Sequence, residues 1–386
     1  MSKSRIFLSP PHLSGKEIDF ITDAFAINWI GPHGPNVDGF ENDLKKYTGA
    51  GQVTVLSSGT AAIHLALILL DVNEGDVVIC QSFTYSATAN PIAYQRAIPL
   101  FVDSEADTWN MDPLALEQAI KSCLAGNVTG KPVKPKAIIP VHLYGIPAKM
   151  NEICGIADKY QIPVVEDAAE ALGSSIHGKM CGSFGKLGIL SFNGNKIITT
   201  SGGGALLSDD EELIKKARFL ATQARDEAAH YQHSHIGYNY RMSNIVAGIG
   251  RGQMQVLSSH LEQRRSNFNK YKSYFKGIES KGYNVHVMEG PEGYNSNHWL
   301  TTIIIDPGRN NGITKDVLRL AFENENIESR PLWKPMHLQP IFANSPYFGS
   351  GLGERLFSNG LCLPSGSSLT EDDWERIIGV MERVFI

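Results

Sequence analysis

What this 386-residue chain lacks narrows its class quickly. Its five cysteines, Cys80, Cys123, Cys154, Cys181 and Cys362, are scattered and contain no C-x-x-C pair. That pattern suggests neither a disulfide framework nor a thiolate zinc site. No apolar run reaches the ~18 residues that span a bilayer, so no membrane segment is expected. The N-terminal Ile6-Phe7-Leu8 run breaks at Pro10-Pro11-His12, too soon for a secretory core. The compartment these features point to is the cytoplasm. Positive charge is not in excess either. A net charge of -5 gives no electrostatic reason to expect nucleic acid or an acidic membrane as a partner. Internal repeats, low-complexity tracts, Walker and dinucleotide fingerprints and a G-x-S-x-G nucleophile are all missing. What remains is a globular composition, 42% hydrophobic and 19% charged, with material for an ample core.

From residue 53 the chain alternates short β-branched runs with helical stretches. Strands are expected near 53–58, 77–80, 98–103, 137–143, 162–166 and 187–190, with helices at 61–70, 113–123 and 150–160. Such alternation predicts an α/β fold, a mostly parallel sheet covered by helices on both faces. Ligands of such sheets bind outside the carboxyl ends of the strands. A charged helix to about 222 and one long helix over 243–276 follow. A strand at 299–305 and helices at 314–324 and from 371 then suggest a smaller C-terminal α+β domain. The division expected is 1–250 for the large domain and 251–386 for the small one.

The chemistry centres on Ser191-Phe-Asn-Gly-Asn-Lys196, which follows a buried strand and precedes Ser201-Gly-Gly-Gly204. A lysine held there can lose its proton and attack carbonyls as a Schiff-base nucleophile. Glycines beside it let backbone approach a bulky planar group. Ser58-Gly59-Thr60 opens a helix, whose free N–H groups and positive dipole end suit a phosphate. Plain N-capping is the other reading. Glu166-Asp167 ends a strand, and Asp167 could pair with a protonated pyridine nitrogen or simply cap a helix. Together these are the three requirements of pyridoxal 5′-phosphate, gathered at one sheet edge. Arg330, Trp333, Lys334 and His337 form a basic and aromatic stretch among prolines, either a diphosphate and sugar surface or a rigid loop. His230, His233 and His235 lack ligand-spaced partners beyond Asp226 and Glu227, so no metal site is expected.

Several motifs carry a resemblance that runs nearly end to end. They are Ser58-Gly-Thr-Ala-Ala-Ile-His64, Glu166-Asp-Ala-Ala-Glu-Ala-Leu-Gly173, Ser191 to Lys196, Gly237-Tyr-Asn-Tyr-Arg-Met-Ser-Asn244 and Pro335-Met-His-Leu-Gln-Pro340. The chain resembles the DegT/DnrJ/EryC1/StrS sugar aminotransferases, fold-type-I pyridoxal phosphate enzymes. It is most similar to the branch making UDP-4-amino-4,6-dideoxy-N-acetylglucosamine in the bacillosamine pathway. The resemblance implies that Lys196 holds the cofactor, Asp167 contacts its ring nitrogen and Phe83 stacks on its ring. Gly59, Thr60 and Ser191 would hold the phosphate, with Asn239 reaching it from the neighbouring subunit of a homodimer. Relatives often carry Gln or His where this chain has Glu170, so its role stays open between cofactor and sugar. His337 and Trp333 would face the nucleotide-sugar, with Arg330 the substrate candidate read from the residues themselves. The implied reaction is transamination from L-glutamate to a UDP-4-keto-6-deoxy sugar; another nucleotide-linked ketosugar and a non-catalytic regulator are the rivals. Relatives that dehydrate replace the lysine with histidine, so Lys196 argues against that chemistry.

Overall fold

A computed structural model describes residues 4–385. The main sheet is built from β1 (Gln52–Leu56), β2 (Val77–Gln81), β3 (Ile98–Val102), β4 (Ala137–Ile139), β5 (Val165–Asp167), β6 (Leu187–Ser191) and β7 (Gly204–Ser208). Hydrogen bonding orders one half β3-β2-β4 and the other β5-β6-β7-β1. Parallel bridges Ile138–Val164 and Val141–Asp167 join the halves into one sheet. Within it β7 pairs antiparallel with both β6 and β1. All five residues of β2 are buried, as expected of a strand covered on both faces.

Helix α1 (Gly59–Leu69) is apolar around most of its circumference, and residues from Ala61 to Leu67 are all buried. It packs against β6, β7 and helix α2 (Ser86–Tyr94). Ser58 caps it, its Oγ accepting the Ala61 N–H at 3.0 Å. This cap contributes about 1 kcal/mol and fixes where the helix begins, directly over the end of β6. Fully buried Phe40 and Phe192 meet at 5.0 Å beneath the same edge, each contributing roughly 2 kcal/mol by burial.

The smaller sheet is antiparallel, in the order Val285–Val287, Thr301–Ile305, Gly360–Leu363, Arg330–Pro331. Its core includes Ile303, Phe322, Leu361 and Trp374. The expected long helix is in fact two, Asn244–Met254 and α3 (Leu257–Ile278), separated at Gln255 and Val256. Neither Gln255 nor Val256 is a Pro or a Gly; the local signal is Gly252, in the last turn before the break. The expected division at 250/251 is crossed in both directions. Ile6 bridges Ile327 in the small domain, while Tyr347–Phe348 pairs parallel with β3 in the large one. Among the described residues no helix is long and apolar enough to cross a membrane.

Candidate active site

A cavity of about 300 Å³ opens at the carboxyl ends of β5 and β6, beside the first turn of α1. Its wall includes Ser58, Gly59 and Thr60, then Asp167 and Glu170, and finally Ser191 and Lys196. The sequence placed these residues at one sheet edge, and the structure brings them around one space.

Backbone approach at the helix end is tight. A Cβ on Gly204 would lie 2.4 Å from the Gly59 nitrogen, so only glycine lets β7 run this close to α1. A Cβ on Gly59 would meet the Ser191 Cβ at 3.2 Å, which puts the serine hydroxyl beside the first-turn N–H groups. The first intrahelical bond runs from Ala62 N to Ser58 O. The N–H groups of Gly59 and Thr60 therefore precede it and face the cavity wall, an anion-binding geometry.

Asp167 and Glu166 separate by strand alternation. Glu166 turns away from the cavity: its carboxylate accepts N–H groups of Gly182, Phe184 (2.9 Å) and Gly185 (3.1 Å). Asp167 is 4% exposed and faces the cavity. Its Oδ2 accepts the Thr88 hydroxyl at 2.7 Å, and its Oδ1 accepts the Ala169 N–H at 3.1 Å.

Lys196 sits on the loop between β6 and β7, its side chain only 14% exposed. Its Nζ lies 3.6 Å from Glu170 Oε1 and 4.2 Å from the centre of the Trp299 ring. The other Glu170 oxygen accepts the Tyr144 N–H at 2.7 Å. Burial is the largest influence on Glu170 and pushes its carboxyl above the ordinary range, with Asp167 adding to the effect. The Lys196 charge and the Tyr144 N–H pull the other way.

Other expected residues fall differently. Phe83 is a correction: it has no exposure and packs edge-on against Tyr144, outside the cavity wall. From that segment the aromatic that lines the cavity is Tyr85, half exposed and two residues later. The tight bond from Thr84 N to Ser82 O bends the chain there, so the residue pair does not share a face as it would in a strand. His337 is also displaced from the cavity. Its Nδ1 meets the Ser82 hydroxyl at 2.6 Å, its Nε2 meets Glu354 at 3.2 Å, and its ring stacks on Tyr347. Trp333 does line the cavity, between Tyr85 and Tyr144. Asn239 is exposed, bridges Thr222 and does not reach the cavity of its own chain. His233 bonds the Gln223 carbonyl and His235 the Ser234 hydroxyl, so the histidine loop is partnered locally.

Tyr85, Asn195, Trp299 and Trp333 also line an outer groove of about 750 Å³. Its far wall carries Phe7, Pro10, Pro11 and Arg330, the last ion-paired to Glu328 at 2.9 Å. Inner cavity and groove thus form one stepped space. A larger, open groove of about 960 Å³ lies between α3 and the helix Glu371–Phe385, away from the strand ends. It holds solvated glutamates, and Lys270 there is already paired with Glu371.

A buried amine, a carboxylate at a strand end and an anion-binding helix start define a pyridoxal phosphate-dependent aminotransferase of fold type I. The residues fit that group: where Gly202 lines the cavity, a Cβ would find nothing within 4 Å, leaving room for a flat ring. Residues 11–382 match the model of the DegT/DnrJ/EryC1/StrS aminotransferase family, and the chain belongs to that family. It is 50% identical over 385 residues to EpsN of Bacillus subtilis (strain 168), described as a pyridoxal phosphate-dependent aminotransferase, covering 99% of this chain and 96% of that one. It is 34% identical to the GDP-perosamine synthase of Caulobacter vibrioides, covering 99% of both. The fold matches Spr1654 of Streptococcus pneumoniae, described as a sugar aminotransferase and solved in its PLP form. That match has a TM-score of 0.86 at 28% identity and covers 99% of this chain and 100% of the other. The chain is therefore a sugar aminotransferase that depends on pyridoxal 5′-phosphate.

Trp299, Ser9 and Arg264 are the participants that sequence reasoning missed. The Asn195 carbonyl accepts both the Trp299 indole N–H (2.6 Å) and the Ser9 hydroxyl (2.7 Å). Those bonds tether the lysine loop to the small domain and to the N-terminal segment. No motif flags them, because their role comes from long-range contacts.

Proposed function

We propose that this enzyme converts a UDP-linked 4-keto-6-deoxy-N-acetylhexosamine to its 4-amino sugar, with L-glutamate as donor, for bacterial glycan synthesis. The observation that carries the reading is the stepped space. A buried lysine stands at its inner end, and a groove large enough for a nucleotide-sugar leads outward past Trp333 and Arg330. Arg330 suits a diphosphate and Trp333 a sugar or base face.

Pyridoxal 5′-phosphate, when bound, supplies an aldehyde carbon for amine exchange and a ring that withdraws electrons. Gly59, Thr60 and Ser191 are the proposed phosphate holders. Asp167, oriented by Thr88, is the proposed partner of the ring nitrogen, and Tyr85 takes the ring-facing role first expected of Phe83. Lys196 Nζ is the general base that takes the proton from the donor's α-carbon and, in its protonated form, later the acid that delivers one to sugar C4. Donor and ketosugar use the cavity in turn. The exposure of Asn239 fits a cytoplasmic homodimer in which Asn239 of the partner subunit completes the phosphate site.

The deciding experiment incubates the cofactor-loaded enzyme with glutamate and either a UDP- or a GDP-linked 4-keto-6-deoxy sugar. Aminated UDP-sugar is the expected product, identified by mass spectrometry, with its C4 configuration assigned by NMR. Turnover of the GDP-sugar alone would replace this reading with a perosamine-type one. Cofactor binding without glutamate turnover would favour a regulator.

A further inference from the structure

Lys196 Nζ has two fixed neighbours of different kinds. One is the Glu170 carboxylate at 3.6 Å, and the other is the Trp299 ring, whose centre is 4.2 Å away. An anion and an indole face both favour a cation at that point. We propose that Glu170 and Trp299 form a cradle for a cationic nitrogen at the tip of residue 196, Glu170 as its counter-charge and Trp299 as its positioning face. A cationic nitrogen makes the carbon bonded to it a better electrophile for the incoming donor amine.

Both walls of the cradle are locked. Glu170 is anchored by the Tyr144 N–H, and Tyr144 holds a left-handed backbone at φ 56°, a conformation that costs about 1 kcal/mol or more for a bulky residue. Trp299 is 1% exposed and sits in a closed hydrogen-bond circuit. Its indole N–H donates to the Asn195 carbonyl, and its own carbonyl accepts Arg264 Nη1 at 2.6 Å. Arg264 Nη2 donates to the Ser9 hydroxyl at 3.0 Å, which donates in turn to Asn195. The ring is thus tied to the residue beside the lysine. The ionisable groups facing the cradle are Asp167 and Tyr85 within the cavity. Tyr144 and Cys362 stand behind Glu170, and Arg264 stands behind Trp299.

The inference rests on Lys196 being the reacting amine. Its test uses cofactor-loaded full-length protein, whose visible band reports whether that nitrogen is protonated. Glu170→Gln keeps an acceptor for Tyr144 but removes the charge, so the midpoint of the pH titration should fall by about one unit or more. Trp299→Leu should lower it less, and Trp299→Phe, which keeps a ring, less again. In protein freed of cofactor, Lys196 of Glu170→Gln should react with acetic anhydride severalfold faster at pH 8 than in wild type. An unchanged or raised midpoint in Glu170→Gln, with wild-type unfolding temperature, overturns the cradle; so does unchanged labelling. Borohydride reduction that leaves no cofactor on Lys196 is a different failure, of the functional reading itself.

Discussion

The Thr88 hydroxyl donates to Oδ2 of Asp167 across 2.7 Å, from the first turn of α2 to the last residue of β5. Thr88 in turn meets the Thr84 hydroxyl at 2.9 Å, so the carboxylate is aimed by a short relay. Hydrogen bonds to charged groups contribute roughly 1.5–3 kcal/mol. Thr88→Val should therefore lower kcat/KM for the ketosugar by about tenfold or more while the protein stays folded, and Thr88→Ser should restore most of it. Equal rates for Thr88→Val and wild type would show that Asp167 does not depend on this bond.

Glycine identity should matter at the helix start and not on the open side of the loop. A Cβ at 204 would collide with the backbone of Ser58 and Gly59, whereas one at 194 meets nothing within 4 Å. Gly204→Ala should lose about 1–3 kcal/mol and weaken cofactor binding, because α1 must move away from Ser191. Gly194→Ala should match wild type. Thermal unfolding and cofactor titration measure both. Wild-type affinity in Gly204→Ala would mean that close approach is not what shapes the anion site.

The cavity residues that sequence reading found are the ones whose neighbours in the chain already define them. Ser58-Gly59-Thr60 announces a helix start, Asp167 ends a buried strand, and Lys196 stands among glycines. What it missed depends on side chains far apart in sequence. Phe83 and Tyr85 looked alike as aromatics, and only the bend at Thr84 decides which one faces the cavity. His337 carries a functional look, yet Ser82, Glu354 and Tyr347 engage it elsewhere. The Asn195 tether joins residues 186 and 104 positions apart, a distance at which no local pattern reports.

Sharing of the site between subunits can be read by complementation. Lys196→Ala should bind cofactor without turnover, and Asn239→Ala should turn over poorly. If Asn239 of the partner subunit completes each site, hybrid dimers contain one site with both residues intact. Mixing equal amounts after subunit exchange should then recover about a quarter of wild-type activity. Activity no greater than the sum of the separate variants, with exchange verified by mass spectrometry, would confine each site to one chain.

Acid should loosen the lysine loop through His260. This residue of α3 is 3% exposed, stacks on His12 at 4.6 Å and stands against the Ile197 backbone beside Lys196. Burial, and then the neighbouring His12 and Arg264, push its protonation down from 6.5 to about 4. A histidine depressed in this way favours the neutral form in the folded state. Its contribution to stability is complete above pH 6.5 and is lost as pH falls towards 4. The loss amounts to about 1.4 kcal/mol per pH unit in that window. His260→Phe removes the imidazole from beside Ile197 and from the stack with His12, so its unfolding temperature at pH 7 should be lower than that of wild type. Between pH 6.5 and 4.5, however, that temperature should decline less steeply. Parallel declines in the two proteins would assign the acid sensitivity to other groups.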